Sequence, residues 1–312
     1  MQDFIISLLY TLILVAFFYG VCAFVQLSQA RPGLRYVIFG LFGTVGALIL
    51  LLGLLSLAAP QVVHPQSGRL LLVLGVATLL PLFRLVRALL AKVTPLDPTS
   101  TIDTSGLVVL LWLFAIGGTL LFTIDLSRVN ATVTVGAALL NELAYVPIAF
   151  SLVGIFVTRT WRESVKRLGL ERPTARQVAI ALGLVVPLLV LAVATDYAGR
   201  TLQPAYYQQV ESVLKSMSSG LSNPLAAIAV GGAAGVCEEI LFRGAIQPRF
   251  GIPLTALAFA TAHAQYGASL AIVGVFITGL VLGYERKYFN TTTAIITHAA
   301  YDIVAFLLNA GG

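Results

Sequence analysis

The chain has 312 residues, of which 58% are hydrophobic and only 10% are charged, and its formal net charge is +6. So few charged side chains cannot cover the surface of a water-soluble protein of this length, and the composition therefore excludes an ordinary soluble domain. A basic excess can serve nucleic acid, but here the Lys and Arg residues lie between apolar runs, which is typical of contact with lipid headgroups and of control of membrane topology.

The apolar runs predict an all-α fold, a polytopic transmembrane helical bundle of about ten helices. Most of the runs reach the roughly 18 residues that a helix needs to cross the hydrocarbon layer. The eighth and ninth are short, lie on either side of Gly267, and suit tilted helices or a tight hairpin. The predicted spans are 4–27, 36–59, 70–91, 106–124, 132–158, 178–195, 225–246, 253–266, 268–284 and 290–309.

The loop 159–177 is the most basic part of the chain, with six of the 19 Lys and Arg residues. The positive-inside rule places this loop in the cytoplasm and both termini on the outer side. We predict three parts on this basis: N-terminal transmembrane helices of unknown role in 1–158, a basic cytoplasmic linker in 159–177, and a C-terminal unit in 178–312.

Polar residues also interrupt the fifth span, where Asn141 and Glu142 stand without charged neighbours. An acid in such a place serves either a proton or ion path or an interhelical hydrogen bond, and the second interpretation is the commoner one. The segment 196–224 is the longest polar connection, and a short amphipathic helix is predicted around 206–216. The segment either gates access to a membrane site or is simply an exposed loop.

The stretch "GVCEEILFR" places charges at the end of the small, apolar run "PLAAIAVGGAA". Charges inside a membrane are costly unless they are paired or used. Glu239 and Arg243 are four residues apart, on one helix face, and their spacing predicts an ion pair. Glu238 is rotated by about 100° from that face, which leaves its carboxylate free to act as a general base.

Two of the three histidines lie in the spans that follow. His263 ends the sequence "FATAH", four residues after Phe259, and His298 begins "HAAYD", four residues before Asp302. With the predicted topology, Glu238, His263 and His298 all lie roughly 12–15 Å below the cytoplasmic surface, at about 1.5 Å per helical residue. We therefore expect these side chains to share one cavity.

Together the three segments resemble the motifs of the CAAX-processing and bacteriocin-immunity (CPBP) family of intramembrane proteases. "EEILFR" is similar to its Glu-Glu-x-x-x-Arg motif, "FATAH" to Phe-x-x-x-His, and "HAAYD" to His-x-x-x-Asn or Asp. The family includes the type II CAAX prenyl endopeptidases and proteins like lysostaphin resistance protein A. The resemblance covers about residues 175–312, so that 178–312 is expected to be a CPBP-like protease domain.

The resemblance implies a role for each matched residue. Glu238 and His263 would hold and activate the attacking water, and His298 and Asp302 would stabilise the oxyanion or orient the site. Family members that cleave prenylated substrates typically carry Asn at the position of Asp302, and Asn donates to an oxyanion whereas an ionised Asp repels it. Asp302 would then carry a proton or orient His298. The implied structural support consists of Glu239, Arg243 and Phe259.

The predicted function is an intramembrane endopeptidase that hydrolyses a peptide bond near the cytoplasmic face without a cofactor. Its partners would be membrane lipid and a peptide or protein substrate, which is lipidated in some family members, and not nucleic acid; its location would be the plasma (inner) membrane of a prokaryote. One alternative is a zinc-dependent protease with Glu238, His263 and His298 as ligands. Others are a non-catalytic membrane scaffold or bacteriocin-immunity protein, and a transporter, which the lack of a visible inverted repeat disfavours.

Overall fold

The fold is all-α, as the sequence predicts. The computed structural model describes residues 2–59, 65–129, 133–219 and 223–310, and within these ranges it is 84% helical and has no β-strands. Seven of the described helical stretches are long and apolar enough to cross a membrane, or eight if a bent pair forms one span. The chain is therefore a multi-pass integral membrane protein, and the predicted count of about ten spans roughly matches.

Thirteen α-helices follow one another in the described ranges. Short 3-10 turns occur at Leu80–Leu82, Leu126–Arg128 and Ala264–Tyr266, and a π-helical turn occurs at Ile240–Ile246. The α-helices are α1 Gln2–Leu27, α2 Leu34–Ala58, α3 Pro65–Leu79, α4 Arg84–Leu90, α5 Thr101–Thr123, α6 Val135–Leu152, α7 Trp161–Arg167, α8 Ala175–Leu202, α9 Pro204–Ser218, α10 Pro224–Glu239, α11 Gln247–Ala262, α12 Leu270–Tyr288 and α13 Thr291–Ala310.

Local sequence explains where several helices begin and end. Side-chain oxygens at five N-caps accept backbone N–H groups of the first turn, which would otherwise lack partners. The fifth predicted span is shorter than expected, because Gly154 adopts φ +83° just after α6 and stops the helix. The capping residues are Ser100, Thr134, Thr160, Thr174 and Asn223.

The third predicted span, 70–91, is not one straight helix. The helical stretch Ser67–Leu82 and the helix Arg84–Leu90 meet at an angle of 83°. Pro81, which lacks an N–H, interrupts the helical hydrogen bonds there. The guanidinium of Arg87 donates to two carbonyls at the break, Pro81 O at 2.6 Å and Leu82 O at 3.0 Å, and to Pro98 O in the following loop at 2.8 Å. The predicted span 70–91 is therefore a bent pair of helices, and a buried arginine stabilises the break between them.

The chain folds back on itself at Gly251, between the seventh and eighth predicted spans. Gly251 has φ +77°, a conformation that glycine adopts without steric cost. Phe242 precedes Gly251 and Phe259 follows it at a similar distance along the chain. Their rings pack edge to face, with centroids 5.3 Å apart. The two predicted spans are therefore the arms of one antiparallel hairpin.

Helices α10 and α13 pack closely because glycines line the contact. A Cβ atom at Gly235 would lie 2.3 Å from Ala299 N, and one at Gly231 would lie 3.0 Å from Ile303 N. Small residues that let backbones approach are typical of helix contacts in membranes. Positions 231 and 235 of α10 thus face 303 and 299 of α13, and the two helices run antiparallel.

The basic connector is tied to the start of α13. Thr291 donates its backbone N–H to Gly169 O at 3.0 Å, and its hydroxyl donates to Leu168 O at 2.6 Å. In α7, Thr160 and Glu163 form a capping box, and the N–H and hydroxyl of Thr160 hold the pKa of the Glu163 carboxyl below its usual value. The connector is therefore an ordered element that anchors one end of α13.

Candidate active site

A fully buried ion pair forms the base of the site. Glu239 and Arg243 are both 0% exposed, and Arg243 Nε lies 3.1 Å from Glu239 Oε2. Arg243 Nη2 also donates to Gly279 O at 3.3 Å, while the second oxygen of Glu239 lies 2.9 Å from Nδ1 of His298. Glu239 therefore joins Arg243 on its own helix turn to His298 on α13.

The ring of His298 lies between two carboxylates. Its Nδ1 faces Glu239, and its Nε2 lies 3.4 Å from Oδ2 of Asp302, one turn further along α13. The side chain of His298 is 5% exposed and that of Asp302 is 20% exposed. The bond to Glu239 is short and the contact to Asp302 is long for a hydrogen bond, so Glu239 determines the orientation of the ring.

Phe259 packs among the charged groups. The guanidinium carbon of Arg243 lies 4.4 Å from its ring centroid, which is a cation–π geometry. The ring centroids of His263 and His298 lie 4.7 Å and 5.6 Å from that of Phe259. This one aromatic side chain therefore holds three polar groups from three segments of the chain around it.

His263 is placed by the end of α11. Its backbone, with φ −96° and ψ 47°, caps the helix, and its Nδ1 lies 2.7 Å from Phe259 O. A carbonyl oxygen only accepts, so Nδ1 carries the hydrogen and the lone pair of the neutral ring lies on Nε2. His263 is thus ready to accept a hydrogen bond at Nε2.

Glu238 contrasts with its neighbour Glu239. Its residue is half-buried, and its Oε2 atom is buried without a hydrogen-bond partner in the described part of the chain. It lies close enough to His298, Asp302 and Glu239 to interact electrostatically. Oε2 of Glu239 also lacks a hydrogen bond, but it forms the ion pair with Arg243, and Oε1 of Glu239 contacts His298. The two adjacent glutamates therefore differ in that Glu239 is ion-paired and Glu238 is not, among the described residues.

Helix α6 contributes two residues that were not among the predicted site residues. Glu142 lies close enough to Glu238, His298 and Asp302 to interact with them electrostatically. Tyr145 interacts in the same way with Glu142 and Glu238. The sequence set Glu142 apart from the three motifs and left open a proton or ion path or an interhelical hydrogen bond; the structure places it beside the motif residues, with its Oε2 buried and without a hydrogen bond among the described residues. The available signal was the single acid in an otherwise apolar span.

Glu285 is a second acid that the sequence did not single out. It is 4% exposed, accepts a hydrogen bond of 2.7 Å from the hydroxyl of Thr297, and lies within electrostatic range of Glu239 and Arg243. Because Arg286 and Lys287 follow it, the sequence is typical of a solvated helix end. Only the packing of α12 against α13 places Glu285 next to the site.

Glu238, His263 and His298 are the residues that the zinc-dependent alternative would use as ligands. Within 2–59, 65–129, 133–219 and 223–310, no group of three or more His, Cys, Asp or Glu side chains has the geometry to hold a metal ion. The two ring nitrogens of His298 face Glu239 at 2.9 Å and Asp302 at 3.4 Å.

The fold and the site together define a class: a helical membrane protein with carboxylates, imidazoles and a guanidinium assembled between its C-terminal helices. Such groups, inside a membrane, are typical of a functional site rather than of packing alone. Residues 220–304 match the family model for type II CAAX prenyl endopeptidase Rce1-like proteins. This part of the chain is therefore an Rce1-like domain, and the predicted relation to the CPBP family is confirmed for it.

The matched region spans about a quarter of the chain. It contains α10, α11 and α12 and most of α13, with all three predicted motifs. No curated protein and no solved structure matches the chain. The family is one of CAAX-protease-like intramembrane endopeptidases, and the matched region lies inside the predicted C-terminal domain 178–312.

Proposed function

We propose that this protein is an intramembrane endopeptidase that hydrolyses a peptide bond with a water molecule activated by Glu238 and His263. The observation that supports this proposal best is the carboxylate of Glu238: its buried Oε2 has neither a hydrogen bond nor an ion pair among the described residues, whereas the adjacent Glu239 is ion-paired with Arg243. The pair already satisfies the charge of the arginine, so Glu238 is not needed for charge balance. A carboxylate with a free oxygen in a poorly solvated site suits a general base.

The first step is attack by water. Glu238 takes one proton from the water, while Nε2 of His263 accepts a hydrogen bond from the second hydrogen and orients the oxygen lone pair. The water oxygen then bonds to the carbonyl carbon, and the carbonyl oxygen becomes negatively charged. The hydrogen bond from His263 Nδ1 to Phe259 O supports this tautomer.

The second requirement is a donor for the oxyanion. His298 has its Nδ1 fixed by Glu239 at 2.9 Å, and its Nε2 is only loosely engaged with Asp302 at 3.4 Å. We assign Nε2–H of His298 to the oxyanion, because a donor aimed by a buried carboxylate is preorganised. Both ring nitrogens then carry a hydrogen, and Asp302 accepts from Nε2–H in the resting site until the oxyanion takes its place. Arg243 with Phe259 supports Glu239 and both histidines.

This mechanism uses no metal. The alternatives are a zinc-dependent protease and a non-catalytic membrane scaffold. To separate them, the protein is purified with chelator, reconstituted in vesicles, and offered peptides that end in an S-prenylated CAAX sequence. We expect cleavage that survives chelator; cleavage that is lost with chelator and restored by zinc favours the metalloprotease, and no cleavage favours the scaffold.

The role of Glu238 is tested with one substitution and a matched control. Glu238→Gln preserves shape and removes the base, so we expect folded protein whose turnover falls by about 10²–10⁴. Glu171→Gln makes the same chemical change at an exposed glutamate of the connector and should leave turnover unchanged. Wild-type turnover in Glu238→Gln would refute the assigned base.

The position of the site in the membrane follows from the connector. If 159–177 is cytoplasmic, the site lies near that face, because His298 is about two turns, or ~10 Å, along α13 from Thr291, which binds Gly169. In a variant without Cys22 and Cys237, a cysteine at Arg172 should resist membrane-impermeant label in intact cells and react after lysis. Labelling in intact cells would reverse the topology.

A further inference from the structure

Glu142 lies on the face of α6 that packs against α10. Ala138 belongs to the buried cluster around Ala226 and Val230 at the start of α10, and Ala149 belongs to the cluster around Leu241, just beyond its end. Residues 138, 142, 145 and 149 share one helical stripe. Glu142 therefore points along the α6–α10 contact, between these two layers.

The groups around Glu142 belong to the candidate active site. The groups close enough to interact with it electrostatically come from α10, α13 and its own helix, and one of its oxygens, Oε2, is buried without a hydrogen-bond partner among the described residues. Glu238 has an unsatisfied oxygen of the same kind. These neighbouring groups are Cys237, Glu238, His298, Asp302 and Tyr145.

Two carboxylates close together in a poorly solvated site are most stable when one of them carries a proton. Glu238 is the carboxylate that accepts a proton in the proposed reaction. Its neighbour is then free to be the proton donor, and sites that hold such a pair separate the acid and base roles between its members.

We propose that Glu142 is the general acid that protonates the leaving amine, so that the N-terminal half of the chain supplies a catalytic group to the Rce1-like domain. The inference rests on the proposed function and deepens it. It also gives part of the region 1–158 a role that the three motifs do not cover.

The proton balance closes over one turnover. Water gives one proton to Glu238 and its oxygen bonds to the carbonyl carbon. When the tetrahedral intermediate collapses, the C–N bond breaks and Glu142 gives its proton to the nitrogen, which leaves as an amine. Transfer of the proton from Glu238 to Glu142 then restores both groups, and no external oxidant, reductant or co-reactant is needed.

The test compares two leaving groups. The bond that the wild-type protein cleaves in the prenylated peptide is identified by mass spectrometry, and a second peptide is made with an ester at that bond. An alkoxide needs protonation much less than an amide nitrogen does. We expect Glu142→Gln to lower turnover of the amide by about 10²–10⁴-fold. Turnover of the ester should fall by less than about tenfold, which is the size of effect expected when one electrostatic contact is weakened.

Asn141→Ala is the matched control, since Asn141 is an exposed polar residue on the same helix; it should keep both rates. An equal loss on amide and ester in Glu142→Gln, or no loss on either, would overturn the proposal. If the Gln variant does not fold, Glu142→Asp decides: a selective loss on the amide supports the general acid, and an equal loss refutes it.

Failure of the proposed function has a different signature. In that case the wild-type protein cleaves neither peptide, or Glu238→Gln keeps the wild-type rate on both. Failure of the Glu142 assignment alone leaves wild-type cleavage intact and Glu238→Gln inactive.

Discussion

Two helix pairs of this protein pack through glycines, but their contacts have different roles. In the pair α2–α3, a Cβ atom at Gly75 would lie 2.7 Å from the backbone of Leu50. In the pair α10–α13, a Cβ atom at Gly235 would lie 2.3 Å from the backbone of Ala299. In both pairs, small residues let two backbones come into contact, which favours association in lipid where apolar surface alone does not.

The difference lies in what the close contact encloses. Ser56, in the α2–α3 contact, satisfies its hydroxyl within its own helix by donating to Gly53 O at 2.6 Å. The α10–α13 contact brings Glu239 within 2.9 Å of His298 across the two helices. The comparison teaches that glycine packing builds the helix pair, whereas charges satisfied across the pair build the site.

The largest effect should come from the arginines of the two regions. Arg243→Ala leaves the fully buried Glu239 without its partner, which typically destabilises a protein by about 3–5 kcal/mol. We expect a low folded yield and an early unfolding transition when denaturant is added in detergent micelles.

Arg87→Ala is the matched substitution in the N-terminal region, where the buried guanidinium binds three backbone carbonyls. It should also destabilise the protein, but less, and the folded fraction should keep its turnover. If Arg87→Ala abolishes turnover of folded protein, the active site depends on the break that Arg87 stabilises, and the comparison of the two regions fails.

The two glycines give the next test. Gly235→Ala and Gly75→Ala each force a Cβ into a neighbouring backbone, and overpacking of this kind typically costs about 1–3 kcal/mol. We expect similar losses of stability in denaturant titrations. Only Gly235→Ala should lower the turnover of folded protein, because it pushes α13 with His298 away from Glu239. Equal turnover in the two variants would contradict the placement of the site.

The smallest effect is expected at Asp302. Its contact with His298 is 3.4 Å, so Asp302→Asn, which keeps an acceptor oxygen of the same shape, should lower turnover by less than about tenfold, or about 1.4 kcal/mol. Asp302→Leu removes the contact and should cost about 10²-fold, at the lower end for one electrostatic contact in a catalytic site. Measurement of kcat in vesicles compares them; full activity of the Leu variant would show that Asp302 only packs.

The sequence alone determined the fold class and the pairs of charged residues within each motif. Runs of apolar residues have few solutions in lipid other than helices, because every backbone polar group must be satisfied within the chain. The i,i+4 spacings of Glu239 with Arg243 and of His298 with Asp302 already placed each pair on one helix face. Both pairs are present, at 3.1 Å and 3.4 Å, since these contacts depend only on local geometry.

The tertiary structure decided which helices meet and what each unpaired group faces. The bond between Glu239 and His298 joins residues 59 positions apart, and no spacing rule predicts it. The break at Pro81 depends on Arg87 binding three carbonyls. The position of Glu142 near the site depends on the packing of α6 beside α10. Helical periodicity tells which face of a helix a side chain occupies, but only packing between helices tells what lies opposite that face.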